Sequence, residues 1–165
     1  MNRKKPEHKY TQSERKKIYR IKKVKMPVKS DVPHDRKTRR NLIKTHYQEN
    51  YGRYYCPALG GNVSINKDIS CNKTFYEAAV REKSTKLALI VEQIIPLAVK
   101  LYSSKAKANE MQKGFSMVHV LVAGVRGVGY AKITVGEYAD KTELNEFCQY
   151  SVSHLSIVQL KNKKK

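Results

Sequence analysis

The sequence predicts an α+β fold: N-terminal helices packed on one face of a small antiparallel sheet of about four strands, preceded by a basic N-terminal arm. Three features point there. Residues 116–137 hold two runs rich in β-branched residues around a glycine-containing segment, the pattern of a β-hairpin. Residues 84–102 carry Leu87, Ile90, Val91, Ile94, Ala98 and Leu101 as one continuous helical stripe. The charge is also polarised along the chain. The formal net charge is +20, and residues 1–45 hold 17 basic against 4 acidic side chains, while residues 46–160 are nearly balanced. A hairpin face and a helix stripe that both need burial are expected to bury each other.

The same distribution sets the domain limits. At 165 residues the chain suits one domain with extensions rather than two. Residues 1–33, dense in Lys and Arg and broken by Pro6, Pro27 and Pro33, read as an arm that is disordered or orders only on a polyanion. Ile18, Ile21 and Val24 recur there every three residues, enough for a short basic helix that is marginal in isolation. Residues 34–160 form the single domain, and 161–165 a basic tail.

Asp35 is placed to cap a helix over 35–50, with Leu42, Ile43, His46 and Tyr47 on one side. Its first turns hold Arg36, Lys37, Arg39 and Arg40, cations at the pole where the helix dipole disfavours them, which bound phosphates would relieve. Tyr51, Tyr54 and Tyr55 interleave with Arg53, a pattern that stacks bases or packs a core rim. Gly60-Gly61 makes a turn before the short strand Val63-Ser64-Ile65. A helical segment opening at Asn72-Lys73-Thr74 precedes the 84–102 helix, in which Pro96 imposes a kink or a break after Ile95. Residues 105–114 read as a polar loop, and 140–146 as an acidic loop or helical turn. The last strand, 150–160, lacks clean alternation, so it bulges or is covered on both sides.

The hairpin carries the candidate chemistry. If Arg126-Gly127 is a two-residue loop, Val125 stands opposite Val128. Val118, Val120, Val122, Ala131, Ile133 and Val135 then share an apolar face, and Met117, His119, Leu121, Ala123, Tyr130, Lys132 and Thr134 share the other. A three-residue loop would slip one strand and scatter that set.

The order of elements resembles a known group. With the helix around Ile95-Pro96-Leu97, then Met117-Val118-His119-Val120, then the glycine turn and Tyr130, residues of about 38–160 are similar to the nuclease-like domains of the barnase–EndoU–colicin–RelE fold. Such domains occur in large polyvalent proteins of phages and conjugative elements. Where that group usually has Asn-Gly before the second strand, this chain has Arg126-Gly127. The resemblance implies a metal-independent, toxin-like RNase or a relative that binds without cutting, with an inhibitor or larger assembly protein as a protein partner.

Metal-independent RNA cleavage needs a base, an acid and a cation for the phosphorane. His119 is the candidate base or acid, Lys132 the charge stabiliser, and Tyr130 the proton donor or stacking ring. Arg36, Lys37, Arg39, Arg40, Arg53, Lys86 and Arg126 are the candidate nucleic-acid-binding residues. No convincing carboxylate joins His119 in this register, and a strand histidine bonded to Thr134 or a backbone carbonyl is the plainer reading. The expected function is therefore an RNA-directed, metal-independent nuclease of a mobile element. The alternatives are a non-catalytic nucleic-acid-binding module on basic arms, and a protein adaptor using Met117, Leu121 and Tyr130.

Other classes fare worse. There is no nucleophile elbow, and Gly124, Gly127 and Gly129 lie in a strand–turn–strand context that does not cradle a dinucleotide. Five histidines without ligand spacing, and Cys56, Cys71 and Cys148 without a C-x-x-C pair, argue against zinc, a disulfide framework or any cofactor. Free cysteines suit a reducing cytoplasm. The longest apolar run, 87–91, is too short to span a bilayer, and a terminus charged from its third residue without an apolar run argues against a secretory signal.

Overall fold

Gly127 sets the register of the sheet. In this computed structural model, which describes residues 10–66, 75–139 and 149–159, Gly127 has φ 83° and the Val128 N–H donates to the Val125 carbonyl at 3.1 Å. A positive φ at the third turn position is what glycine accepts without a Cβ penalty. The loop is thus the three residues Arg126-Gly127-Val128, with Val125 opposite Gly129, Leu121 opposite Ile133 and Met117 opposite Glu137. The two-residue loop expected from sequence is corrected by one position, and with a side-chain period of two every pairing of faces across the hairpin is exchanged.

In chain order the elements are α1 (Gln12–Arg20), β1 (Lys23–Val24), α2 (Arg36–Glu49), β2 (Gly52–Cys56), β3 (Gly61–Ile65), α3 (Glu82–Ala88), α4 (Val91–Ile94), a 3-10 turn (Ile95–Leu97), β4 (Val99–Lys105), α5 (Ala108–Met111), β5 (Phe115–Val125), β6 (Gly129–Tyr138) and β7 (Tyr150–Ile157). The strands make one seven-stranded sheet in the order β1-β5-β6-β7-β3-β2, with β4 also paired to β5. It curls into a half-barrel. β4 takes the outer edge of β5 from Met117 to Val122, and β1 continues that edge at Gly124 and Val125. The pairs β1–β5 and β3–β7 are parallel and the rest antiparallel. This corrects the small antiparallel sheet of about four strands: β1, β2 and β4 come from stretches read as arm, rim and helix.

The helix expected over 84–102 is likewise corrected. Pro96 ends the helical part, as its missing N–H requires, and Val99-Lys100-Leu101-Tyr102 continues as strand, where β-branched and aromatic residues fit. The last strand bulges, because Ser153 is extra between Val152, opposite Val135, and His154, opposite Thr134. Asn72-Lys73-Thr74, the acidic 140–146 stretch, Cys71, Cys148 and the 161–165 tail lie outside the described residues.

Both faces of the sheet are covered. Ile43 and Tyr47 of α2, Leu87 and Ala88 of α3, and Val91, Ile94 and Ile95 pack with Leu121, Ala123, Ile133, Val135, Val152 and Leu155. On the opposite face Ile18 of α1 packs with Leu101, Val120 and Val122. The expectation of helices on one face is therefore corrected, and residues 12–24 of the expected arm are part of the fold. α1 is held by a capping box, Thr11 accepting from the Glu14 N–H while the Glu14 carboxylate accepts from the Thr11 N–H, and by a fully buried Ile18.

α2 forms as its cap predicts. Asp35 accepts from the Thr38 amide at 2.8 Å and from the Thr38 hydroxyl, and these bonds hold its carboxyl below the usual range. Arg39 is buried on the inner side of this helix. Its guanidinium donates to the carbonyls of Ala79 (2.8 Å), His34 (2.7 Å), Pro33 (3.0 Å) and Val80 (3.2 Å). Arg39→Met is expected to lower stability by about 1–3 kcal/mol through those orphaned acceptors. Chemical unfolding should register that loss, with RNA affinity unchanged.

Candidate active site

With the register fixed, cross-strand partners share a face. Ser103 on β4 lies opposite His119 on β5, and one row along stand Lys105, Met117, Glu137 and Tyr150, contributed by β4, β5, β6 and β7. His119 therefore meets a carboxylate after all. Its Nε2 is 2.7 Å from Glu137 Oε1, and its Nδ1 is 2.6 Å from Ser103 Oγ. Gln149 Nε2 donates to the second Glu137 oxygen at 2.8 Å, which fixes the carboxylate plane. The Tyr150 ring stands edge-on to the imidazole, with centroids 5.8 Å apart. Burial, with Glu137 and Cys56 nearby, pushes the Tyr150 phenol above its usual range, so it stays protonated.

The proton positions follow from chemistry. A carboxylate only accepts, so Nε2 carries the hydrogen that bonds Glu137. In neutral imidazole Nδ1 is then the bare nitrogen and accepts from the Ser103 hydroxyl. The line passes from a half-buried Glu137, through an imidazole in a residue only 8 % exposed, to an exposed serine. Such an array raises the basicity of a hydroxyl oxygen at the surface and stabilises the imidazolium formed when its proton leaves.

Tyr130 and Lys132 are separated from His119. Both side chains lie on the α1 side of the sheet, because they pair with Gly124 and Val122. The Lys23 ammonium sits 5.0 Å from the Tyr130 ring centroid, and Lys132 sits 5.8 Å from that of Tyr10. Burial lowers the Lys132 pKa, against opposing attraction from Glu14 and Glu77. The expected trio of His119, Tyr130 and Lys132 is thus not assembled. Among the expected phosphate-binding cations, Arg36, Lys37, Arg53 and Arg126 are exposed, Lys86 is half-buried, Arg40 lies over the Tyr76 ring at 4.8 Å, and Arg39 is the internal clamp already described.

Neither the protein-family models nor the curated proteins nor the solved structures include a match to this chain. What the site does must be read from its own groups. Among the described residues no three His, Cys, Asp or Glu side chains converge as a metal would require, and no helix is long and apolar enough to cross a membrane. A second His–carboxylate pair, His46 with Glu92 at 2.8 Å, lines a cleft of about 430 Å³ between α2 and the α3–α4 junction. Burial works to raise the Glu92 pKa, but the hydrogen bond from His46 and further bonds outweigh it and hold it low. That pair joins two helices and presents no hydroxyl.

Ser103, Lys105, Glu137 and Gln149 were not among the sequence candidates. The available signal was the Gly127-x-Gly129 pair: a three-residue loop puts Glu137 on the face of His119. Ser103 had no such signal, since it lies just past the helix expected over 84–102.

Proposed function

We propose that the chain is an RNA-directed, metal-independent nuclease-like domain of a mobile element, of the barnase–EndoU–colicin–RelE kind, with its chemistry at Ser103, His119 and Glu137. The observation that supports this most is the hydrogen-bonded line from Glu137 through His119 to an exposed hydroxyl position. In phosphodiester cleavage the hydroxyl held at Nδ1 would give up its proton there as it attacks phosphorus. Glu137 would hold the resulting imidazolium, and the Lys105 ammonium, next to Ser103 on the same face, would oppose the charge of the phosphorane. The cationic surface supplies affinity: α1 and the stretch after it expose Lys16, Lys17, Arg20, Lys22, Lys23 and Lys25 on a chain of net charge +20. On this reading the domain acts in the cytoplasm, with an inhibitor or assembly protein as its protein partner.

The test is to incubate the purified chain with end-labelled RNA in excess chelator. Cleavage that persists in chelator is the expected result, and RNA bound but intact at every pH would overturn it.

A second reading, a nucleic-acid-binding module without catalysis, is favoured by one observation. Both ring nitrogens of His119 are already engaged, and the side chain ties β4 and β6 together across β5. In that case His119 is a staple, and the basic surface is the functional part.

A further inference from the structure

We propose that Ser103 is itself the attacking nucleophile, so that the site cleaves phosphodiesters lacking a 2′-hydroxyl, DNA as well as RNA. The proposal rests on the reading of this site as a phosphodiester-cleaving centre and goes further by naming the hydroxyl. No substrate group need be brought to Nδ1, because Ser103 Oγ already lies 2.6 Å from it. The tautomer this requires is fixed from the other side by Glu137, itself held by Gln149.

The strand that carries Ser103 is suited to the task. The Ala106 N–H donates to the Ser116 carbonyl across β4 and β5. Bonded pairs alternate along an antiparallel ladder, so the Ser104 and Tyr102 amides also face β5, while those of Ser103 and Lys105 are turned away from it. Ser103 and His119 are therefore a non-hydrogen-bonded pair, the type whose side chains stand closest, which accounts for the short contact. β4 pairs with β5 alone among the described strands, so the Ser103 N–H points out from a sheet edge beside its own Oγ. A phosphorane on Oγ would find that amide, with Lys105 one same-face position along, its Cα about 6.8 Å from that of Ser103 by strand geometry. The cation favours an anionic phosphodiester over a neutral ester.

The step balances without a further reagent. The Oγ–P bond forms as the P–O5′ bond breaks, the serine proton passes to Nδ1, and Nδ1–H then gives it to the departing 5′-oxygen. Glu137 remains a carboxylate throughout. A Ser103–O–P–O3′ diester and a free 5′-hydroxyl result. Water then attacks phosphorus, His119 takes its proton and returns one to Oγ, and a 3′-phosphate is released.

The experiment gives the full chain, in chelator, three labelled oligonucleotides: RNA, its 2′-O-methyl counterpart and single-stranded DNA. Products and covalent adducts are resolved on denaturing gels, and adducts are mapped by mass spectrometry. Cleavage of all three, an adduct on Ser103, and a loss of about a thousandfold or more in Ser103→Ala is the expected outcome. The 2′-O-methyl and DNA arms need no mutation, so a folding defect in the variant cannot mimic the result. If only RNA is cut, with cyclic phosphate ends and Ser103→Ala as active as the parent, Ser103 is not the nucleophile although the site cleaves. If none of the three is cut, the reading of the site falls and this proposal with it.

Discussion

His119→Gln is expected to lower metal-free RNA cleavage by about 10²–10⁴-fold, the usual worth of a positioned base or acid. The loss should fall on kcat, with KM nearly unchanged. The imidazole offers little surface to a substrate, and affinity resides in cations elsewhere on the chain. A structural role alone predicts something different. His119 bonds Ser103 of β4 and Glu137 of β6, so its loss removes two cross-strand hydrogen bonds worth about 0.5–1.5 kcal/mol each on either reading. Assays well below the unfolding transition separate the two: a pure staple loses activity only in proportion to the unfolded fraction. Glu137→Gln sharpens the comparison. The amide keeps the shape but not the charge that holds an imidazolium, so kcat should again drop while Gln149 and His119 still have a partner nearby. Equal kcat in parent and both variants would reassign His119 to architecture.

Local signals in the sequence were the legible ones. The Asp35 cap, the Ile43–Tyr47 spacing and the break at Pro96 each depend on residues within a turn or two of one another, and each appears in the structure. What followed Pro96 was not legible, because Ala98 and Leu101 satisfy a helical spacing while Val99 and Tyr102 favour strand. The neighbouring β5 decides between them by offering an unpaired edge. α1 shows the same limit: Ile18 was visible as a periodic apolar residue, but not the Leu101, Val120 and Val122 that bury it. His119 could be singled out, and its companions could not. They hang on a one-residue difference in loop length, the smallest change that exchanges the faces of a strand. Tyr130 and Lys132 went to the α1 side and Glu137 came to His119 by that single step. Ser103 lies 16 residues away on another strand, where only the tertiary pairing brings it.

Gly136→Ala should be the most damaging single-methyl change in the hairpin. Gly136 lies on β6 between Val118 and Ser151, and a Cβ built there would overlap the ring of Phe115. That ring has little room to yield. It is 2 % exposed and lies against Tyr138, with centroids 5.0 Å apart. The Tyr138 hydroxyl in turn is 2.9 Å from Ser151 Oγ, itself 2.7 Å from Ser64 Oγ across the parallel β3–β7 pair. Forcing the ring aside therefore disturbs contacts among four strands, and overpacking of this kind costs about 1–3 kcal/mol. Urea unfolding should show a lower midpoint with an unchanged slope. The double variant Gly136→Ala with Phe115→Leu should recover much of the loss, since a smaller side chain vacates the space; such neighbours are expected to be non-additive. The register that sets Gly136 opposite Val118 sets Glu137, the next residue, opposite Met117, one same-face row from His119. If Gly136→Ala leaves the midpoint where it was, or the two substitutions simply add, the β5–β6 register is wrong, and the Glu137–His119–Ser103 line goes with it.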